Sequence, residues 1–167
     1  MMIRKLISTD FTSIYKTIND AAQAYKGVIP EDRWKAPYMQ KSELCEEISS
    51  GVQFYGWITD DFLTGVMGIQ FLKDVTLIRH SYIRPEYQRM GIGTILLKHL
   101  VDLASTPEIL VGTWNDATWA IRFYEKNGFR CLLRKESNKL LRRYWSIPER
   151  QVETSIVLKL ELGVNRK

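Results

Sequence analysis

Gln88-Arg89-Met90-Gly91-Ile92-Gly93 stands directly ahead of an aliphatic run that reaches Leu100, and these residue types suit the capture of an anion. The first backbone N–H groups of a helix have no intrahelical partner, and the aligned peptide dipoles place partial positive charge there. Two glycines at such a start let an anion approach donors that a Cβ would cover, so the stretch reads as a phosphate seat. A second, aromatic stretch, Phe123 to Phe129 ("FYEKNGF"), follows one strand-and-helix unit later. Cys45 and Cys131 lie far apart and form neither a disulfide nor a metal pattern, so both are expected reduced and no metal site is expected.

The elements that must position these residues can be read from periodicity and punctuation. Arg84 precedes Pro85 and is biased out of the helical region, so the strand "DVTLIRHSYI" must end near Ile83. Ile92, Ile95, Leu96, Leu100, Leu103 and Ala104 recur at helical spacing, and Pro107 lies past their end. Upstream come a strand in "MIRKLI", a helix from Phe11 to Ala24, a break at "GVIP", and a short helical piece or loop in "EDRWKAPYMQ". A helix in "KSELCEEISSG" follows, then strands in "VQFYGWIT" and "LTGVMGIQFL" joined through Asp60–Asp61. Downstream come a strand "EILVGTW", a helix "DATWAIRFYEKNG" stopped at Gly128, a strand "FRCLLR" and a closing strand "QVETSIVLKL". The order implies an α/β fold (α+β) built on one mixed sheet.

A chain of 167 residues with 45% hydrophobic and 26% charged content suits a single domain over residues 1–167. No apolar run approaches the roughly 20 residues of a membrane span, and the first residues lack a signal peptide's apolar segment, which implies a cytoplasmic protein without a membrane partner. The net charge of +5 favours anionic partners, but the basic residues are dispersed, with "LLRRYW" the one tight pair near aromatics, so no nucleic-acid partner is expected. The sequence contains no repeat and no low-complexity linker.

The element order, the loop Gln88–Gly93 and "FYEKNGF" together resemble the GCN5-related N-acetyltransferase family over almost the whole chain. Gln88 to Gly93 is similar to its Q/R-x-x-G-x-G/A acetyl-CoA signature. The resemblance implies the acyl-CoA N-acyltransferase fold, a mixed, mostly antiparallel sheet splayed at the cofactor site with flanking helices. It further implies that acetyl-CoA is the cofactor and a primary amine the acceptor, on a small molecule or, alternatively, on a protein or peptide. On this resemblance the backbone N–H groups of Arg89, Met90, Gly91, Ile92, Gly93 and Thr94, beside Gln88, hold the pyrophosphate. Tyr82, Ile83 and Arg84 pair with the pantetheine arm, the Ile83 N–H faces the thioester oxygen, and Tyr124 gives a proton to the departing sulfur.

Two positions depart from the family pattern. Seven residues before Tyr124 the family often has an asparagine that contacts the cofactor, whereas this chain has Ala117; Asn115 or Asp116 can cover the cap from nearby, and Asn115 is the candidate for the contact. Some members carry a glutamate base where this chain has Leu77. His80 on the same strand is then the candidate catalytic base, while Glu31, Asp32 and Glu153 can reach from flanking segments.

In the family, the segments that match "AYKGVIPEDRWKAPYM" and "LLRRYWSIPERQ" here close over the acceptor. Tyr25, Trp34, Tyr38, Trp114 and Trp145 are candidates to wall a small-acceptor pocket, with Glu31 or Asp32 attracting the amine's charge. A non-catalytic acyl-CoA-binding module and a nucleic-acid-associated protein are the competing classes. A monomer and a homodimer are both compatible with the sequence.

Overall fold

The computed structural model describes residues 1–163. Seven strands form one sheet: β1 (Met2–Lys5), β2 (Gln53–Thr59), β3 (Phe62–Phe71), β4 (Thr76–Ile83), β5 (Glu108–Trp114), β6 (Arg130–Cys131) and β7 (Ser155–Glu161), in the order β1-β2-β3-β4-β5-β7-β6. All neighbours are antiparallel except β4 and β5. Six α-helices flank it: α1 (Phe11–Ala22), α2 (Lys41–Ser49), α3 (Ile92–Leu103), α4 (Thr118–Lys126), α5 (Arg134–Tyr144) and α6 (Glu149–Glu153). Among the described residues, no helix is long and apolar enough to cross a membrane.

Strand β3 is buried from Leu63 to Gln70, as its nearly unbroken apolar sequence requires of a strand covered on both faces. On one face Ile69, Ile78, Ile109 and Leu158 pack with Leu96, Leu97 and Leu100 of α3. On the other, α1 and α2 cover Phe54, Leu63 and Val66, while α5 covers Leu77, Leu110 and Val157.

The feature that shapes the site is an irregularity in β4. Gly68 pairs with Arg79 and Val66 with Tyr82, so His80 and Ser81 together oppose Met67, and His80 takes a φ of 53°. This is a β-bulge, which bends the bulged strand. Strand β5 pairs with β4 through Thr76–Ile78 against Ile109–Val111, and the pairing stops where the bulge begins. The two parallel strands then diverge and leave a gap that opens towards α3 and α4.

The C-terminal third differs from the sequence reading. The strand expected in "FRCLLR" is confined to Arg130–Cys131, and residues 134–144, for which the sequence reading has no helix, form α5. Leu133, Ser137, Leu140, Leu141 and Tyr144 do recur at helical spacing, but only Ser137 and Leu141 of α5 are buried, among charged residues that mask the stripe. The Ser137 hydroxyl accepts from the Val157 N–H at 3.0 Å, docking the helix on β7. Residues 149–153 are likewise helical, so the closing strand starts at Ser155 rather than Gln151.

Candidate active site

The loop between β4 and α3 has the backbone that anion capture needs. Arg89 and Gly91 both lie at positive φ, 63° and 80°, and Gly91 caps α3. Alternation of left- and right-handed residues turns successive N–H groups towards one side. The Gly91 carbonyl already accepts from the Ile95 N–H at 3.1 Å, so Ile92, Gly93 and Thr94 carry the helix's early, intrahelically unpaired donors.

The two glycines serve different ends. A Cβ on Gly91 would meet nothing within 4 Å, but its left-handed backbone disfavours any side chain. A Cβ on Gly93 would sit 3.3 Å from the Phe123 ring. The sequence reading gave both glycines to phosphate approach; the missing Cβ of Gly93 also lets α3 come close to α4.

A cleft of about 860 Å³ runs from this loop between the ends of α3 and α4 to the gap in the sheet. Of the expected cofactor residues, Tyr82, Ile83, Gln88, Arg89, Gly91, Ile92, Gly93, Thr94 and Tyr124 line it. Met90, Arg84 and Asn115 do not. Met90 is exposed, the Arg84 guanidinium is held by Asp20 at 2.6 Å and the Leu63 carbonyl at 3.0 Å, and Asn115 is bonded to Arg134 beside α5. The sequence reading missed Trp119, Arg122 and Lys126, which with Phe123 form one face of α4 at helical spacing and line the same cleft. Among the described residues, its lining thus carries three cations, Arg89, Arg122 and Lys126, and no carboxylate.

The main chain of Ile83 faces the gap. The Arg84 N–H donates to the Thr64 carbonyl of β3 at 2.9 Å, and antiparallel main-chain groups alternate sides, so Ile83 turns its N–H and C=O away from β3. Its carbonyl accepts from the Gln88 side chain at 3.0 Å.

A second, narrower pocket of about 130 Å³ penetrates between the diverging strands. Tyr25, Tyr38, Trp114 and Trp145 line it, with His80 and Arg79 from the bulge, and no Asp or Glu does. The two cavities share Tyr25, Ser81, Tyr82, Ala120 and Tyr124. Trp34 lies behind the wall, stacked on Tyr38 with ring centres 6.0 Å apart. Glu31 is exposed and borders neither cavity, and the neighbouring Asp32 carboxylate is engaged by Arg150 at 2.9 Å and 3.1 Å. Attraction of an amine by Glu31 therefore has no support in the geometry.

The phenols that line the narrow pocket keep their protons. Burial pushes the Tyr124 hydroxyl up to about 12, offset in part by Ser81. Burial also raises Tyr25, Tyr38 and Tyr82, whose hydroxyls interact with one another. All four are proton donors at neutral pH and none is a base.

Residues 11–129 match the sequence profile of the Acetyltransferase (GNAT) family. The chain belongs to that family, whose members are acyltransferases with acetyl-CoA as cosubstrate. It is similar in fold to the PaiA N-acetyltransferase of Thermoplasma acidophilum, solved in complex with coenzyme A, at 20% identity and a TM-score of 0.72, over 96% of this chain and 98% of that one. The ribosomal-protein-S18-alanine N-acetyltransferase of Escherichia coli is similar at 19% identity and a TM-score of 0.68, over 99% and 98% of the two chains. A GNAT acetyltransferase of Elizabethkingia anophelis with acetyl-CoA bound is similar at 20% identity and a TM-score of 0.62, over 96% and 97%. At these identities the likeness is one of fold. No curated protein sequence matches this one significantly.

Proposed function

We propose that this protein moves an acetyl group from acetyl-CoA directly to the primary amine of a small molecule. The observation that carries this reading is the meeting of the large cationic cleft with the small aromatic pocket at Tyr124, Tyr82 and Ser81. A thioester reaching along the cleft and an amine in the pocket would come together there without a covalent enzyme intermediate.

Within this reading the early α3 N–H groups hold the pyrophosphate, and Arg122 and Lys126 add positive charge. The Ile83 N–H stabilises the oxyanion formed on attack, and Tyr124 hands its proton to the departing sulfur. The acceptor side is walled by aromatic faces without a carboxylate. A compact amine fits there, and a second fixed cation on the acceptor would have no anionic partner. A peptide N-terminus calls for an open groove, so the narrowness of the pocket supports a small acceptor.

The test is a screen of small amines and of short peptides with acetyl-CoA, reading thiol release and acetylated product by mass spectrometry. Turnover of compact monoamines is the expected result. Turnover confined to peptides would move the acceptor to the protein class, and cofactor binding without turnover on any amine would leave a binding module.

A further inference from the structure

An amine acetyltransferase must dispose of protons, and the protonated phenols around this pocket cannot accept the first of them. An alkyl ammonium titrates at about 10.4, so roughly one molecule in a few thousand is neutral at pH 7. Among the described residues, the titratable groups lining the narrow pocket besides phenols are His80 and Arg79. His80 Nε2 lies 2.9 Å from a carboxylate oxygen of Glu47, which reaches over from α2, and the Arg79 guanidinium approaches the same oxygen at 3.1 Å. The sequence reading did not single out Glu47.

We infer that Glu47 is the positioning residue for His80, and that His80 accepts the proton the acceptor amine must lose. This rests on the proposed acetyl transfer.

The geometry determines which nitrogen is basic. Burial alone would raise the Glu47 carboxyl, but the hydrogen bond from His80 and the charges of His80 and Arg79 outweigh it and hold it below the usual carboxylate range. An ionised carboxylate only accepts hydrogen bonds, so in the neutral imidazole Nε2 carries the proton and Nδ1 has the lone pair. Arg79 is in turn fixed by the Gln70 side chain at 3.1 Å, and Gln70 by the Ser50 carbonyl at 3.0 Å, so the carboxylate has a rigid cationic neighbour. His80 also occupies the left-handed region at the bulge, a conformation that persists only where its surroundings enforce it. The Phe54 ring from β2 packs 6.0 Å from the imidazole and limits its reorientation. The charged and titratable groups that touch it or share its pocket are Glu47 from α2, Arg79 from β4, and the phenols of Tyr25, Tyr38, Tyr82 and Tyr124.

The proton inventory balances. In turning an ammonium into an amide, the nitrogen loses two protons as the N–C bond forms and the C–S bond breaks. One leaves through His80 to solvent. The other replaces the proton that Tyr124 gives to sulfur.

Two measurements test the assignment. The first needs no acceptor: long-range ¹H–¹⁵N correlation of the two histidines, His80 and His99, in the free protein. His80 is expected as the Nε2–H tautomer in wild type and as a tautomer mixture in Glu47→Leu; an Nδ1–H tautomer in wild type overturns the assignment whatever the reaction is. The second is the pH dependence of kcat/KM. His80→Gln is expected to lose about 10²-fold near pH 7, with the deficit shrinking as pH rises towards the amine's own pKa. Glu47→Gln is expected to lower kcat about tenfold with KM for acetyl-CoA unchanged, and Glu47→Asp to recover part of it. A His80→Gln deficit constant with pH, or a Glu47→Gln variant that melts earlier with unchanged kcat, overturns the inference. Absence of turnover on any amine in wild type would instead refute the proposed function, and the tautomer measurement would still stand.

Discussion

The Trp114 Nε1–H donates to the Tyr38 hydroxyl at 2.8 Å, joining the end of β5 to the segment after α1 across 76 residues. The bond fixes the wall of the narrow pocket by tying a mobile class of element, a connecting segment, to the sheet. Tyr38→Phe removes this hydrogen bond, worth about 0.5–1.5 kcal/mol net, together with the hydroxyl's hydrogen bond to Tyr82, and leaves the ring in place. KM for the acceptor is expected to rise about 2–10-fold, while acetyl-CoA affinity measured by calorimetry stays the same.

The glycines of the anion loop separate by mechanism. Gly91→Ala forces a Cβ onto a left-handed residue, at about 1–2 kcal/mol, and weakens acetyl-CoA binding by distorting the loop. Gly93→Val drives bulk into the Phe123 ring and is expected to lower both affinity and melting temperature. Calorimetry and thermal melts on both variants check this; undiminished acetyl-CoA affinity in both would remove the loop from the binding site.

Arg122 and Lys126 are exposed cations on the cleft-lining face of α4. Replacing both with Ala is expected to weaken acetyl-CoA binding several-fold at low salt and hardly at all near 1 M salt, where screening acts within about 3 Å. Titrations at two ionic strengths decide it.

Alkaline pH should destabilise the fold. Tyr25, Tyr38, Tyr82 and Tyr124 all hold their protons above the usual phenol value, first through burial, with Tyr124 at about 12. The unfolded chain releases these protons near pH 10 and the folded chain does not, so their contribution is complete below pH 10 and declines as pH rises through the folded values. The limiting slope is about 1.4 kcal/mol per pH unit for each phenol. Urea midpoints from pH 8 to 11 should fall beyond pH 10, less steeply in Tyr124→Phe.

Much of this was legible in the sequence because it is local. The glycine loop, α3 and the aromatic face of α4 follow from spacing within one element, and the strands β2 to β5 follow from apolar runs between turn residues. What stayed hidden depends on distance. Glu47 meets His80 across 33 residues, because a bulge in β4 aims the imidazole at α2, and no periodicity announces that contact. Trp34 and Glu31 share a segment with Tyr38, yet only Tyr38 faces the pocket; composition locates the segment but not its facing. Asn115 is close in sequence to Tyr124 but turned to α5 by Arg134. Helix α5 was missed because its apolar stripe is narrow and interleaved with charge.

Whether the two cavities meet at a working phenol is decided by Tyr124→Phe. The substitution keeps the ring against Phe123 and Phe129 and removes the one group it offers to sulfur. A thiol with a pKa of about 8.5 is already a fair leaving group, which places the expected loss in kcat near 10²-fold, the low end for general acid catalysis, with acetyl-CoA affinity and melting temperature nearly unchanged. A Tyr124→Phe enzyme with undiminished kcat would remove Tyr124 as the proton donor to sulfur.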